Sequence, residues 1–267
     1  CQLNEQTLKL GTKSIMQLSK RMNTVEPYFF AKLGTHIAKL KAQGKDIIRL
    51  DMGSPDLPPA QFIVDTLHQL SSEANLHGYA PLGGSPDFLK AVSTYYANRF
   101  DVNLDPTSEI VGLIGSKEGL FHLSMAFLNP DDIVLVPDPG YAVYARAAKF
   151  AGAKVVTMPL LESNHFLPDL SSIPNHIASR TKLLWLNYPN NPTGAIVDDK
   201  FFTEVVEFAH THQIMICNDA PYMDITFDGY NAPSLLQVSG SSEVAIEFNS
   251  LSKTYNIKEA VKNVSFE

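Results

Sequence analysis

Short apolar runs alternate with amphipathic stretches over most of the chain beyond residue 100. The apolar runs that predict strands lie at residues 109–114, 132–136, 154–158, 182–187, 214–218 and 243–248. Apolar positions recur at the spacing of a helix face at residues 117–128, 141–151 and 199–212. Strands that alternate with helices predict an α/β fold: a mainly parallel sheet with helices on both faces, which is an α-β-α sandwich.

The first hundred residues follow a less regular pattern. Helical spacing extends from Glu26 to Gln43, and Gly44 is a suitable C-cap. Residues 47–50 predict a short strand, which the turn-rich segment 51–56 follows. Two further helices are predicted over residues 58–74 and 86–99, each with proline in its first turn.

Composition narrows the classes of function. Lys and Arg number 21 against 28 Asp and Glu, which gives a net charge of −7. This mild acidity argues against nucleic acid or an anionic membrane as a partner. The only cysteines, Cys1 and Cys217, suggest neither a disulfide framework nor a metal site. The chain shows no bilayer-length apolar run and no signal-peptide pattern, so we expect a cytoplasmic protein.

Two of the predicted strands end beside groups that suit an anion and a planar ring. Gly115-Ser116-Lys117 stands between a strand and a helix, where free backbone N–H groups can bind phosphate. An ordinary turn with a helix cap explains the same residues. Pro137-Asp138-Pro139-Gly140 fixes a loop that aims Tyr141 toward the strand ends, where an aromatic ring can stack. A core tyrosine is the alternative.

The next two strands end in an amide and a carboxylate. The segment Asn187–Gly194 contains two prolines and three asparagines, which predicts that Asn191 is held as a fixed hydrogen-bond donor. A purely structural turn is the alternative. Asp219 follows the apolar run 214–217, and a buried carboxylate needs a partner. A protonated ring nitrogen is one such partner, as in pyridoxal phosphate enzymes. The alternative is an aspartate that caps the following turn.

The last predicted strand leads into Ser250-Leu251-Ser252-Lys253. A lysine at the carboxyl end of such a strand can form a Schiff base with an aldehyde, although most lysines lie on the surface. Together the strand ends supply a phosphate cradle, a ring stack, an amide donor, a carboxylate and this lysine. Pyridoxal phosphate requires that complete set of groups.

With these motifs the chain resembles the class I/II aminotransferases of fold type I. The motifs that carry the resemblance are Tyr188–Gly194, Asn218–Tyr222 and Ser250–Lys253. Gly115–Gly119 and Pro137–Tyr141 are most similar to the branch of LL-diaminopimelate and alanine aminotransferases. The resemblance covers about residues 26–256. It implies an N-terminal arm and helix over residues 1–50 and a cofactor-binding large domain over residues 51–256.

The resemblance implies pyridoxal 5'-phosphate as the cofactor and a role for each matching residue. Lys253 would hold the cofactor as a Schiff base and move the substrate proton. Asp219 would keep the ring nitrogen protonated. Asn191 and Tyr222 would hydrogen-bond the phenolic oxygen, and Tyr141 would stack on the ring. The phosphate would be held by Ser116, Lys117, Ser250 and Ser252.

Three more residues are implied to contact the substrate or a second subunit. Tyr79, spaced from Gly84 as in the family, resembles the tyrosine that reaches the phosphate of a neighbouring subunit, which implies a homodimer. Gly53 resembles the backbone contact to the substrate carboxylate, and Tyr28 resembles a substrate-side tyrosine. The implied reaction moves an amino group from an L-amino acid to a 2-oxo acid, and the sequence does not specify which acids.

The resemblance stops after Asn256. Val261 stands where the family has an arginine that clamps the phosphate, and residues 257–267 form an atypical tail. We expect the C-terminal small domain, with its carboxylate-binding arginine, to be absent. A fragment, a shifted reading frame and a shortened variant are the three explanations, and we expect impaired activity. A carbon–sulfur lyase on the same fold and a degenerate homologue that serves in binding or dimerisation are the alternative functions.

Overall fold

The computed structural model describes residues 19, 21–22, 29–51, 53 and 57–250, which fall in two compact units, Cys1–Asp56 and Leu57–Glu267. In the first unit, helix α1 spans Phe29–Ala42 within the predicted range. The predicted strand at residues 47–50 is wrong. A strand needs a hydrogen-bonded neighbour, whereas this segment forms no ladder with any described residue and leaves Ile48 and Leu50 exposed.

The second unit contains a five-stranded sheet in the order β2-β1-β3-β4-β5. All neighbouring strands are parallel. The strands are β1 (Ile133–Asp138), β2 (Lys154–Pro159), β3 (Thr181–Leu186), β4 (Met215–Asp219) and β5 (Ala245–Phe248). The parallel α/β fold is therefore confirmed.

Helices of the second unit fall largely where the sequence predicts them. They are α2 (Gln61–Leu70), α3 (Pro86–Phe100), α4 (Ser116–Phe127), α5 (Ala142–Ala151), α6 (Asn175–Ala178), α7 (Asp199–His212) and α8 (Ser241–Val244). The one-turn helices α6 and α8 were not predicted. Helix α8 replaces the first part of the strand expected at residues 243–248.

The sheet is buried on both faces. On one face, α7 packs Phe202 and Val205 against Leu184 and Ile216 of the sheet. On the other face, α4 and α5 pack against a second set of strand residues, which includes Trp185 and Cys217. A third cluster joins α3 to the chain beyond β4 through Tyr95, Tyr96, Phe100, Ala220, Met223 and Ala232. Alternate residues of one strand thus serve opposite layers.

The strand predicted at residues 109–114 is also wrong. Within the described residues this apolar segment pairs with no strand, and Val111 and Ile114 are largely exposed. Its backbone contact is with the preceding loop, where the Gly112 N–H donates to the carbonyl oxygen of Gly83. An apolar, β-branched composition favours a strand, but a neighbouring ladder is needed to form one.

Candidate active site

Asp219 ends β4 with its carboxyl group buried and only half satisfied. The side chain is 4% exposed, and its Oδ2 accepts a hydrogen bond of 2.6 Å from the Tyr144 hydroxyl. Its other oxygen, Oδ1, is buried and has no hydrogen-bond partner among the described residues. Burial raises the pKa of Asp219 to about 6, and the hydrogen bond from Tyr144 opposes this rise. A buried oxygen without a donor is costly unless a ligand supplies one.

Tyr144 and Asn187 hold Asp219, and neither residue was predicted from the sequence to have a role. The Tyr144 ring stacks on Trp185 with 4.9 Å between centroids and 10° between planes, which fixes its hydroxyl under Asp219. The Asn187 amide donates to the carbonyl oxygen of Asp219 at 2.6 Å. The available signals were the placement of Tyr144 three residues after Tyr141, one helical turn along α5, and that of Asn187 at a strand end.

A turn rich in asparagine follows β3. The backbone N–H of Asn191 donates to Asn187 Oδ1 at 2.7 Å, and Gly194 N donates to the Asn190 carbonyl at 2.8 Å. The peptide bonds before Pro189 and Pro192 are both cis. The buried side chain of Asn190 binds Thr193 within the turn. These contacts are internal to the turn, so the exposed Asn191 is presented on a fixed backbone.

Tyr222 completes a cluster with Asn191 and Asp219. A hydrogen bond with the Asn191 side chain lowers the pKa of Tyr222, whereas burial and the charge of Asp219 raise it. The net effect is a raised pKa. The amide, the phenol and the carboxylate that the sequence placed at the ends of two strands are therefore neighbours, as expected for adjacent parallel strands.

A second group of predicted residues lies around Tyr141. The ring of Tyr141, the N-cap residue of α5, meets Tyr144 edge to face with 5.7 Å between centroids. Lys117 Nζ lies 5.9 Å from the centre of the Tyr141 ring. Ser116 is the first residue of α4, and its N-cap, Gly115, contributes no side chain to the helix start. The cation and the start of α4 therefore lie beside an aromatic ring.

The remaining predicted site residues are not brought together by the described structure. Ser250 lies two residues beyond the end of β5, immediately after Asn249. Lys253, Ser252 and Tyr28 lie outside the described residues. Gly53 is described and exposed in the first unit, whereas Tyr79 is fully exposed in the second. Neither a cluster of metal-binding side chains nor a helix suited to crossing a membrane is found in the part of the chain that the structure describes.

The described residues fit a cationic aromatic ligand. Asp219 Oδ1 is an acceptor that no described residue supplies with a donor, and a protonated ring nitrogen is a donor that needs an anionic acceptor. Tyr222 interacts with Asp219, with the Asn191 amide and with Tyr141, and a cation, Lys117, lies beside the Tyr141 ring. The arrangement can orient a flat ring and keep its nitrogen protonated.

A family model and the sequences of known proteins both match this chain. The family model described as aminotransferase class I and II matches residues 45–258. The LL-diaminopimelate aminotransferase of Moorella thermoacetica is 48% identical over 242 residues, which are 91% of this chain and 62% of that protein. This chain therefore spans less than two thirds of that relative.

Solved structures resemble the fold over nearly the whole chain. Substrate-bound BacF from Bacillus subtilis matches with a TM-score of 0.85 and 33% identity over 93% of this chain and 66% of that one. The probable N-succinyldiaminopimelate aminotransferase from Thermus thermophilus matches with a TM-score of 0.79 and 35% identity, over 88% of this chain and 66% of that one.

Proposed function

The chain belongs to the class I and II aminotransferase family, and on this premise we propose that it holds pyridoxal 5'-phosphate at the carboxyl edge of its sheet. We propose further that the protein moves an amino group from an L-amino acid to a 2-oxo acid. The observation that carries the proposal is Asp219, a buried carboxylate with one oxygen held by Tyr144 and the other without a donor in the described part of the chain.

When bound, this cofactor supplies a ring that accepts the electron pair left by a broken bond at the substrate α-carbon. In the proposed site, Asp219 Oδ1 accepts the ring N–H and keeps the proton on that nitrogen. Asn191 and Tyr222 donate to the ring oxygen, and Tyr141 packs against the ring face. Ser116, Lys117 and Ser250 bind the phosphate with backbone and side-chain donors.

The proposal includes four further residues, which bind the cofactor or the substrate. Lys253 is proposed to hold the cofactor covalently and to move a proton at its Nζ, and Ser252 to bind the phosphate. Gly53 and Tyr28 are proposed to contact the substrate. These assignments rest on the motifs of the sequence and on the family. The division into residues 1–50, 51–256 and 257–267 likewise stays a prediction.

LL-Diaminopimelate is the first amino donor to test. Relatives whose names contain this compound are 44–49% identical to this chain over about nine tenths of its length. Their names favour amino transfer over the carbon–sulfur lyase reaction and over a purely binding role. A cytosolic location, expected because the sequence shows no bilayer-length apolar run and no signal-peptide pattern, stays a prediction.

The test of this function is the visible absorption of the purified chain after pyridoxal 5'-phosphate is added. We expect a band that depends on Lys253 and that bleaches when LL-diaminopimelate or L-glutamate is added. Lys253→Ala is the control, because it removes the amine that binds the aldehyde. A chain that gives no Lys253-dependent band would contradict the proposed cofactor site, and a band that ignores amino acids would contradict the proposed reaction.

We also propose that two copies of the chain form a homodimer. The loops at residues 79–84 and 111–114 meet through the hydrogen bond between Gly112 and Gly83. Both loops present large apolar side chains to solvent, namely Tyr79, Leu82, Val111 and Ile114. Contiguous exposed apolar surface of this kind is typical of protein interfaces. Here it supports the prediction that Tyr79 contacts a second subunit.

Ile114→Lys is expected to weaken this association, because a charge buried in the proposed apolar interface loses its water without gaining a partner. Sedimentation velocity over a range of concentrations should show a dissociation constant raised by about tenfold or more. Leu161→Lys is the matched control, since Leu161 is an exposed leucine in the loop after β2. A parent chain that stays monomeric at high concentration, or equal effects of the two variants, would contradict the proposed interface.

A further inference from the structure

Two adjacent tyrosines of α3 connect to two different segments that carry proposed cofactor contacts. Tyr95 and Tyr96 are 7% and 4% exposed, and their rings meet edge to face with 5.6 Å between centroids. Phe100, one turn further along α3, packs on both rings. The aromatic packing fixes both side chains, so each hydroxyl is held in a defined place.

Tyr95 holds the segment after β4. Its hydroxyl donates to Asp224 Oδ2 at 2.7 Å, and Asp224 lies two residues beyond Tyr222. Arg99 of the same helix contacts the other oxygen of Asp224 at 3.6 Å. The turn itself is closed by Ile225 N, which donates to the Tyr222 carbonyl at 3.0 Å. The position of the Tyr222 turn relative to α3 is therefore set through Asp224.

Tyr96 holds the segment after β5. Its hydroxyl donates to Glu247 Oε1 at 3.0 Å and lies 3.4 Å from the side-chain nitrogen of Asn249. Glu247 is on β5, and Asn249 immediately precedes Ser250. Three other groups donate to the Glu247 carboxylate at 2.7–3.0 Å: Asn218 Nδ2, Ser234 Oγ and Leu235 N. The carboxylate therefore ties β5 to β4, to α3 and to the turn at Leu235–Gln237.

We propose that Tyr95 and Tyr96 are positioning residues, of which Tyr95 sets the place of the Tyr222 segment and Tyr96 that of the segment leading into Ser250. The inference rests on the proposed function, because Tyr222 and Ser250 are proposed contacts to the cofactor ring and phosphate. Neither α3 tyrosine touches the cofactor itself. Each acts through a carboxylate, Asp224 or Glu247, to which its hydroxyl donates. Tyr95 also shares a hydrogen bond with the side chain of Asn249, so only Tyr95 contacts both segments.

The consequence is a separation of effects between two neighbouring residues. Loss of the Tyr95 hydroxyl loosens the Tyr222 segment, whereas loss of the Tyr96 hydroxyl, which bonds Glu247 and Asn249, loosens only the segment leading into Ser250. Two tyrosines that only filled the core would not separate in this way, because removing either hydroxyl would destabilise the same cluster around α3. The pattern across both segments is therefore diagnostic.

The first experiment measures amide hydrogen exchange of the cofactor-free chain. Tyr95→Phe is expected to speed exchange of the Ile225 amide about tenfold, and Tyr96→Phe to do so for peptides covering residues 245–250. Glu247→Gln keeps the shape of the side chain and should affect the same peptides as Tyr96→Phe. The control is Tyr230→Phe, which removes a hydroxyl bonded at 2.7 Å to the Val197 carbonyl and should affect neither segment.

The second experiment compares affinities for pyridoxal 5'-phosphate and for pyridoxal, which lacks the phosphate. Tyr96→Phe should weaken binding of the phosphorylated form about tenfold and leave pyridoxal unchanged. Tyr95→Phe should weaken both forms. Exchange of the Ile225 amide that rises as much in Tyr96→Phe as in Tyr95→Phe, or exchange that rises in neither variant, would overturn the positioning proposal. If the unsubstituted chain binds neither compound, the proposed function fails, while the exchange rates still decide the roles of the two tyrosines.

Discussion

Replacing Asp219 by Asn should reduce cofactor-dependent turnover roughly 10²–10³-fold, as expected when one preorganised electrostatic contact is lost. Asn has nearly the same shape as Asp, so the contact with Tyr144 and the packing around it are preserved. The substitution removes the negative charge that would keep a ring nitrogen protonated. The loss should appear as slower bleaching of the visible band in a single turnover, as well as weaker cofactor binding.

The same substitution should make the cofactor-free chain more stable. The folded-state pKa of Asp219, about 6, lies above its ordinary value of 3.8. Stability from the protonated group is therefore fully present below about pH 3.8 and is lost as the pH rises through 6. At 1.36 kcal/mol for each pH unit, ionisation of Asp219 costs about 3 kcal/mol above pH 7. Asn does not ionise and avoids that cost.

Urea unfolding at two pH values tests this opposition between stability and activity. We expect the free energy of unfolding of Asp219→Asn to exceed that of the parent by up to about 3 kcal/mol at pH 8, with almost no gain near pH 4. Asp132→Asn is the control, because Asp132 accepts from Asn129 N at the opposite, amino end of β1. A variant that keeps full turnover, or that is less stable than the parent at pH 8, would contradict the assignment.

A residue that lowers the stability of its own fold is typical of functional sites.

The positions of the strands could be predicted from the sequence because strands buried on both faces form continuous apolar runs. All five observed strands begin and end within two residues of the prediction. The two predicted strands that failed, at residues 47–50 and 109–114, have suitable composition. Composition does not contain the second strand that a ladder needs.

The candidate site, like the strands, could be predicted only in part. Ends of adjacent parallel strands meet at one edge, so the meeting of Asp219, Asn191 and Tyr222 followed from the topology. The contacts of Tyr144 and Asn187 with Asp219 did not follow. They depend on how α5 lies over β3 and on the side-chain torsions that bring a hydroxyl within 2.6 Å of a carboxylate. No sequence spacing contains that information.

Tyr144→Phe should weaken cofactor binding most strongly near neutral pH. The Tyr144 hydroxyl is the hydrogen bond that counteracts the effect of burial on Asp219, so its loss raises the pKa of Asp219 above about 6. A hydrogen bond to a charged group contributes about 1.5–3 kcal/mol, which corresponds to a rise of about one pH unit or more. At pH 7 a smaller fraction of Asp219 would then carry the charge that pairs with a protonated ring.

The way in which the loss of cofactor affinity depends on pH distinguishes the hydrogen bond of Tyr144 to Asp219 from simple packing of its ring. Asp219 is ionised in both proteins at sufficiently high pH, so the roughly tenfold loss of affinity expected at pH 7 should shrink toward pH 8.5. Cofactor titrations at several pH values measure this loss of affinity.

Tyr188→Phe is the matched control, because Tyr188 is equally buried and its hydroxyl donates to a backbone carbonyl, that of Phe166, at 2.8 Å. Since a carbonyl does not titrate, any loss in Tyr188→Phe should be the same at every pH. A loss in Tyr144→Phe that is equally flat would mean that Tyr144 supports the site by its ring alone.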